Sequence, residues 1–161
     1  MYRFIIAFIM LGSTLIFAGC GDADTPSGDG LGPELSPELQ AMDALQDASR
    51  SRLRIEFGRE RPRFIAMRVP VDPDAEPIER ALAFLDEYKA LYGLEDPWAQ
   101  LFPQDVNRSE EGDVHVRLAQ RGNGLPVYGA AISVHVAGDE VIATMGDYLP
   151  ELAPGTPSGA A

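Results

Sequence analysis

The sequence predicts an α+β fold in which an antiparallel sheet, an N-terminal strand pair plus a C-terminal three-stranded meander, packs against one main helix. Three observations carry that prediction. Apolar and polar residues alternate through 53–57 and again in the stretch that follows, as half-buried strands require. An apolar stripe of helical period runs from 78 to 92. Alternation then returns over 113–148, interrupted by two tight-turn signals.

Each element has a local cause. Ser36-Pro37-Glu38 has the form of a helix start, with serine as cap, proline at the first helical position and an acid facing the dipole. Leu39, Met42 and Leu45 follow at helical spacing, so a short helix is expected to about Ser49. Leu53-Arg54-Ile55-Glu56-Phe57 is the first strand, 58–62 its turn and 63–71 its partner. The main helix buries Ile78, Ala81, Leu82, Leu85, Tyr88 and Tyr92, with Glu79, Asp86 and Glu87 opposite, and stops at Gly93. Residues 94–107 read as a loop whose Trp98, Leu101 and Phe102, bracketed by Pro97 and Pro103, pack down as a lid on the core. The meander comprises 113–120, a turn at 121–124 in which Asn123-Gly124 supplies the positive φ angles of a tight hairpin, 127–137, a turn at Gly138-Asp139, and 140–148.

The ends of the chain have a different character. Met1-Tyr2-Arg3 is a positive n-region, and 4–17 is an apolar stretch too short for an ordinary spanning helix. It runs into Ala18-Gly19-Cys20, and Cys20 is the chain's single cysteine. A lone cysteine can be a buried apolar side chain or a reactive thiol, but neither role explains its place between a signal-like segment and a polar run. Ala18-Gly19-Cys20 resembles the lipobox of bacterial lipoproteins, with Phe17 where leucine is usual. That resemblance implies a thioether-linked diacylglycerol on Cys20, cleavage before it, and attachment to a membrane outside the cytoplasm, inner or outer. Residues 21–33 (Gly-Asp-Ala-Asp-Thr-Pro-Ser-Gly-Asp-Gly-Leu-Gly-Pro) make a flexible tether with a reach of about 20 Å. The expected order is therefore signal peptide 1–19, lipidated cysteine and tether 20–35, folded domain 36–149, and a low-complexity tail or linker 150–161.

Acidic residues outnumber basic ones 25 to 13, for a net charge of −12. A surface of that sign does not release counterions from phosphate, so nucleic acid is excluded as a general partner. An electrostatic hold on anionic lipid is excluded for the same reason, which leaves the acyl group as the membrane attachment.

Several motifs, in order, resemble the fungalysin/thermolysin propeptide domain, the pro-region module of thermolysin-like zinc metallopeptidases. They are Arg61-Pro62-Arg63-Phe64, then Ala81-Leu82-Ala83-Phe84-Leu85 with Leu91-Tyr92-Gly93-Leu94, and Val114-His115-Val116-Arg117 with Gln120. Gly124-Leu125-Pro126-Val127-Tyr128-Gly129 follows, and Ser133-Val134-His135-Val136 with Val141 continues in register. The resemblance spans 53–149. It implies a module that binds, chaperones or inhibits a thermolysin-like metallopeptidase, in cis within a longer precursor or in trans as a free-standing protein. Its family motif residues, and the candidates for an interaction surface, are Gln120, Gly124, Pro126, Val127, Tyr128 and Gly129.

Those positions also have physical roles of their own. Gly124 serves the hairpin turn, and Pro126 begins a strand where no ladder donor is needed. Gly129 either relieves crowding or permits a bulge. Gln120 satisfies backbone groups near the turn, because its amide both donates and accepts. The meander is expected to offer a partner an open sheet edge. Tyr128 and Trp98 are the aromatic candidates for that surface, each equally able to serve as core.

Nothing in the chain reads as a reactive centre. A thermolysin-like site needs His-Glu-x-x-His on one helical face, whereas His115 precedes Val-Arg-Leu-Ala and His135 precedes Val-Ala-Gly-Asp. Both histidines are expected on a solvent-facing strand surface. Catalytic motifs, metal ligands and cofactors are accordingly read as none. The competing functional class is a structural or ligand-binding envelope lipoprotein that reuses the fold without a peptidase.

Overall fold

A computed structural model describes residues 35–149 other than 60 and 123. The signal segment, Cys20, the tether, Asn123 and the tail from 150 lie outside the described residues. The elements are α1 (Pro37–Ala48), β1 (Arg54–Phe57), β2 (Pro62–Pro70), α2 (Pro77–Glu87), α3 (Lys89–Tyr92), α4 (Pro97–Gln100), β3 (Leu101–Arg108), β4 (Val114–Gly122), β5 (Leu125–Ala137) and β6 (Glu140–Asp147). The six strands form one sheet in the order β1-β2-β6-β5-β4-β3, every neighbouring pair antiparallel.

The α+β class and the antiparallel sheet are as expected, but the arrangement differs in three respects. First, β2 pairs with β6, so the N-terminal strand pair and the meander are one sheet. Second, the expected loop after Gly93 contains α4 and the edge strand β3. Asp96 caps α4 by accepting from the Ala99 N–H at 3.1 Å, and Pro97 takes the first helical position. Pro103 and a run of polar residues disguise β3. Proline is tolerated on an edge strand, and the β3–β4 register shifts just after it, between Pro103 and Asp105. Third, the expected short helix α1, at 12 residues, is as long as α2, at 11, so no single helix is the main one.

The predicted helix over 78–92 is broken at Tyr88, whose backbone (φ −107°, ψ 22°) leaves the helical region while its ring packs on Phe84 at 5.0 Å. The second piece, α3, ends where Gly93 takes φ 66°, as its sequence predicts. Ser36 caps α1, accepting from the Leu39 N–H at 3.4 Å, and Leu45 carries that helix's buried contact.

One face of the sheet makes the core. Ile65, Met67 and Val69 of β2, Val116 and Leu118 of β4, Ile132, Val134 and Val136 of β5 and Val141 of β6 meet Leu45, Leu82, Phe84, Leu85, Leu91 and Tyr92 from the helices. Truncating one such leucine or isoleucine to alanine costs about 2–5 kcal/mol. The opposite face carries the alternate residues of the strands, and among the described residues no helix covers it. That division places every site described below.

Candidate functional site

The family-motif residues gather where β4 and β5 run past the end of β6. The β5–β6 ladder begins at Ala131↔Asp147, whereas the β4–β5 ladder continues to Gly122↔Leu125. Residues 125–130 of β5 therefore form a two-stranded arm with β4 and have no β6 partner. All three meander strands lie inside the sheet, and its edge strands are β1 and β3. The expected open edge of the meander exists only along this arm.

Each expected residue has a definite place on the arm. Gly124 has φ 77° in the turn, so the need for glycine is conformational. Pro126 stands opposite Arg121 at the start of β5, exposed, where no inner ladder bond is demanded of it. Val127 is half-buried, and Tyr128 is fully exposed, which settles its two readings in favour of surface. Gly129 has φ 78°, and a Cβ built there meets nothing within 4 Å. Of its two readings, relief of crowding is wrong and the backbone bend is right. Leu125 adds a second large apolar group to the exposed arm.

Gln120 is fully buried, and its role differs from the one expected of it. Its amide does not serve the turn. The Leu149 N–H donates to Gln120 Oε1 at 2.8 Å, and Gln120 Nε2 donates to the Leu149 carbonyl at 2.6 Å. The side chain thus stands in for a strand partner at the place where β5 has diverged from β6. Leu149 carried no signal in the sequence, because its contribution is its backbone.

Trp98 does not close over the core. It sits on α4 with half its surface exposed, while its neighbour Leu101 is buried. The buried Gln100 holds this region together by accepting from the Glu95 and Asp96 N–H groups at 2.8 and 2.9 Å. Phe102 is half-buried, and the Arg121 guanidinium lies 4.2 Å above its ring, tying β3 to the base of the arm.

The uncovered sheet face has a shallow trough of about 510 Å³ beside the arm, lined by Arg54, Phe64, Arg117, Ser133, Met145 and Asp147 among others. Most of its charges are matched: Arg54 pairs with Glu56 at 3.2 Å and Arg63 with Asp147 at 3.1 Å. Arg117 Nε donates to Gln104 Oε1 at 3.0 Å. Gly146 lines the trough where β6 comes close to β5, and a Cβ there would lie 2.1 Å from the Ala131 carbonyl oxygen. An isolated glycine inside a strand pattern is the signal that could have located this close approach.

Next to the trough, His115 and His135 lie on the uncovered strand surface, as expected, each half-buried. They are register partners across β4 and β5, with Nδ1 atoms 2.5 Å apart and rings perpendicular. Burial, and then the neighbouring His115, hold His135 below the ordinary imidazole range. Among the described residues there is no group of three or more His, Cys, Asp or Glu side chains arranged to hold a metal ion.

The fold and the arm define an α+β module organised around one sheet, in which the family-motif residues shape backbone. Residues 99–148, from α4 through β6, match the family described as Fungalysin/Thermolysin Propeptide Motif. The match covers the second half of the region where the resemblance was read. No curated protein and no solved structure matches the chain.

Proposed function

We propose that this protein is a non-catalytic, propeptide-like module, held on the outer side of a cytoplasmic or outer membrane by a lipid on Cys20, that binds a thermolysin-like metallopeptidase and chaperones or inhibits it. The observation that carries the proposal is the coincidence of the propeptide motif with the exposed arm. The residues of the motif that bend and terminate β5 are the ones that project Leu125 and Tyr128 beyond the sheet. Large apolar side chains on a rigid two-stranded arm are suited to a partner's apolar cleft, and the arm's free edge can accept a strand.

The test uses the detergent-solubilised full chain with a purified thermolysin-like peptidase. Co-elution in size exclusion, together with slowed substrate hydrolysis or improved recovery of activity after refolding, is expected. The double variant L125S/Y128S should lose those effects while melting at the same temperature as the parent. Failure of the parent to bind or influence any such peptidase rejects the role. Mass spectrometry of the native protein tests the anchor separately: an unmodified Cys20 behind an intact leader rejects the proposed location.

The trough supports a second reading, a ligand-binding envelope lipoprotein built on the same fold. It predicts that a bound small molecule shifts the amide signals of Ser133 and Met145 without any peptidase present.

A further inference from the structure

His115 of β4 and His135 of β5 face one another on the uncovered side of the sheet, two strands in from the β3 edge. Their Nδ1 atoms are 2.5 Å apart and their ring centroids 4.3 Å apart. Two ring nitrogens approach that closely only when one carries a hydrogen and the other presents its lone pair. The remaining nitrogen of His135, Nε2, is buried and has no hydrogen-bond partner. A bare ring nitrogen tolerates such a place better than an N–H, whose unpaired donor would carry the full desolvation cost. The geometry therefore assigns the tautomers: His135 is protonated on Nδ1 and donates to His115 Nδ1, and the hydrogen of His115 is on Nε2.

That arrangement has no room for one more proton on the facing atoms. Placed on His115 Nδ1, it sets two N–H groups against each other. Placed on His135 Nε2, it creates a buried donor without an acceptor. We propose that the His115–His135 pair is a proton-operated fastener, closing β4 on β5 while both rings are neutral and releasing the two strands on acidification.

The surroundings supply no hydrogen-bond acceptor to His135 Nε2. Across the sheet the pair is flanked by Asn107 of β3 and Ala143 of β6. The charged groups at adjacent positions are Asp113 just before β4, Arg117 of β4 and Asp105 of β3. Arg117 is a cation that opposes an added proton, while Asp105, which accepts from Asn107 at 2.5 Å, and Asp113 are anions that form no ion pair with either ring. On β5 the flanking residues are Ser133 and Ala137, which carry no charge. The direction of the His135 shift agrees with the geometry. A base held below its unfolded value binds its proton more readily in the unfolded chain. Stability is then full above about pH 6.5, the ordinary imidazole value, and falls as pH drops from there toward the folded value.

The experiment is urea unfolding of the full chain between pH 7.5 and 5, comparing the parent with H115Q, H135Q and the double variant. Below about pH 6.5 the parent's unfolding constant should rise steeply, approaching about tenfold per pH unit per proton taken up. The variants should show a flatter profile over the same window. Nitrogen-15 spectra of the parent's imidazoles at pH 7.5, which do not depend on a variant folding, should show His135 unprotonated at Nε2. Equal slopes in parent and variants overturn the proposal, and so does a protonated His135 Nε2. Zinc ion that raises the parent's melting temperature at neutral pH, but not the double variant's, also overturns it by assigning the pair to metal.

Discussion

Gln120 holds Leu149 by two hydrogen bonds, one through each end of its carboxamide, and so fastens the chain just beyond β6 to β4, two strands away in the sheet. The ladder between β5 and β6 has ended at Ala131↔Asp147, so these two bonds replace backbone pairing that the departing arm can no longer supply. A buried glutamine is a costly residue unless both ends are satisfied. Here both are, by a single residue's backbone.

The pairing makes a discriminating prediction. Gln120→Leu removes both bonds but leaves the half-exposed Leu149 able to turn its backbone to water, so the loss should be about 1–3 kcal/mol. Gln120→Glu keeps the acceptor, sets a carboxylate oxygen against the Leu149 carbonyl, and buries an ionisable group. It should be the more destabilising of the two by urea unfolding at pH 7, although it is nearer in shape. The reverse order would mean that the amide's donor end contributes nothing.

Two buried tyrosines give a second contrast. Tyr92 shares a 2.8 Å hydrogen bond with Thr144 of β6, whereas the hydroxyl of Tyr148, whose ring centroid is 6.2 Å from that of Tyr92, is buried without a partner. Burial pushes both phenols well above their ordinary range, so each is neutral at any ordinary pH. Tyr92→Phe strands the Thr144 hydroxyl and should cost about 1–2 kcal/mol. Tyr148→Phe removes a group that is already unpaired and should leave the melting temperature unchanged or raise it.

How much of this was legible in the sequence depends on which physical signal each element carries. The meander, α1 and the Gly93 stop follow from periodicity and capping, because they bury regular stripes. β3 was not legible, since an edge strand with one proline and mostly exposed side chains has no alternation to read. The joining of β2 to β6 was not legible either, because pairing between strands some seventy residues apart leaves no local mark. Of the site, the turn glycines and Pro126 could be read from backbone chemistry. The partner of Gln120 could not, because a backbone amide has no identity in a sequence. The meeting of His115 with His135 required the register of β4 on β5, which the turn at 121–124 suggests but a bulge between Ala119 and Arg121 resets by three residues.

Gly146 should be among the least replaceable residues of the sheet. An added Cβ would lie 2.1 Å from the Ala131 carbonyl oxygen and 2.8 Å from Ile132 Cα, both of them backbone atoms that no rotamer change can move. Gly146→Ala must push β6 away from β5 and should cost more than the ~1–3 kcal/mol typical of overpacking. Gly58→Ala, whose nearest atom is the Arg61 carbonyl oxygen at 3.4 Å, is the control and should be close to neutral. Thermal melts of the two proteins settle the comparison, and similar midpoints would show that β6 can shift without penalty.

Glu140 supplies a pH dependence separate from that of the histidines. It begins β6 with its side chain almost wholly covered, accepting from Arg68 Nε at 2.7 Å and Arg50 Nη1 at 3.0 Å. It thereby ties the segment after α1 and strand β2 to the β5–β6 turn. Hydrogen bonding from Arg68 first, and from Arg50 second, outweighs the cost of burial and holds the carboxyl below its ordinary value of 4.5. A carboxylate held below its unfolded value contributes stability that is fully present above about pH 4.5 and is lost as pH falls through the folded value. Glu140→Gln should therefore melt lower than the parent at pH 7, and the difference should shrink as pH falls below about 4.5. The histidine pair is the same in both proteins, so its contribution cancels from the parent–variant difference, which melting curves at pH 7, 5.5 and 3.5 follow. A parent–variant difference that stays constant from pH 7 to 3.5 would show that the Glu140 carboxylate does not couple to its two arginines.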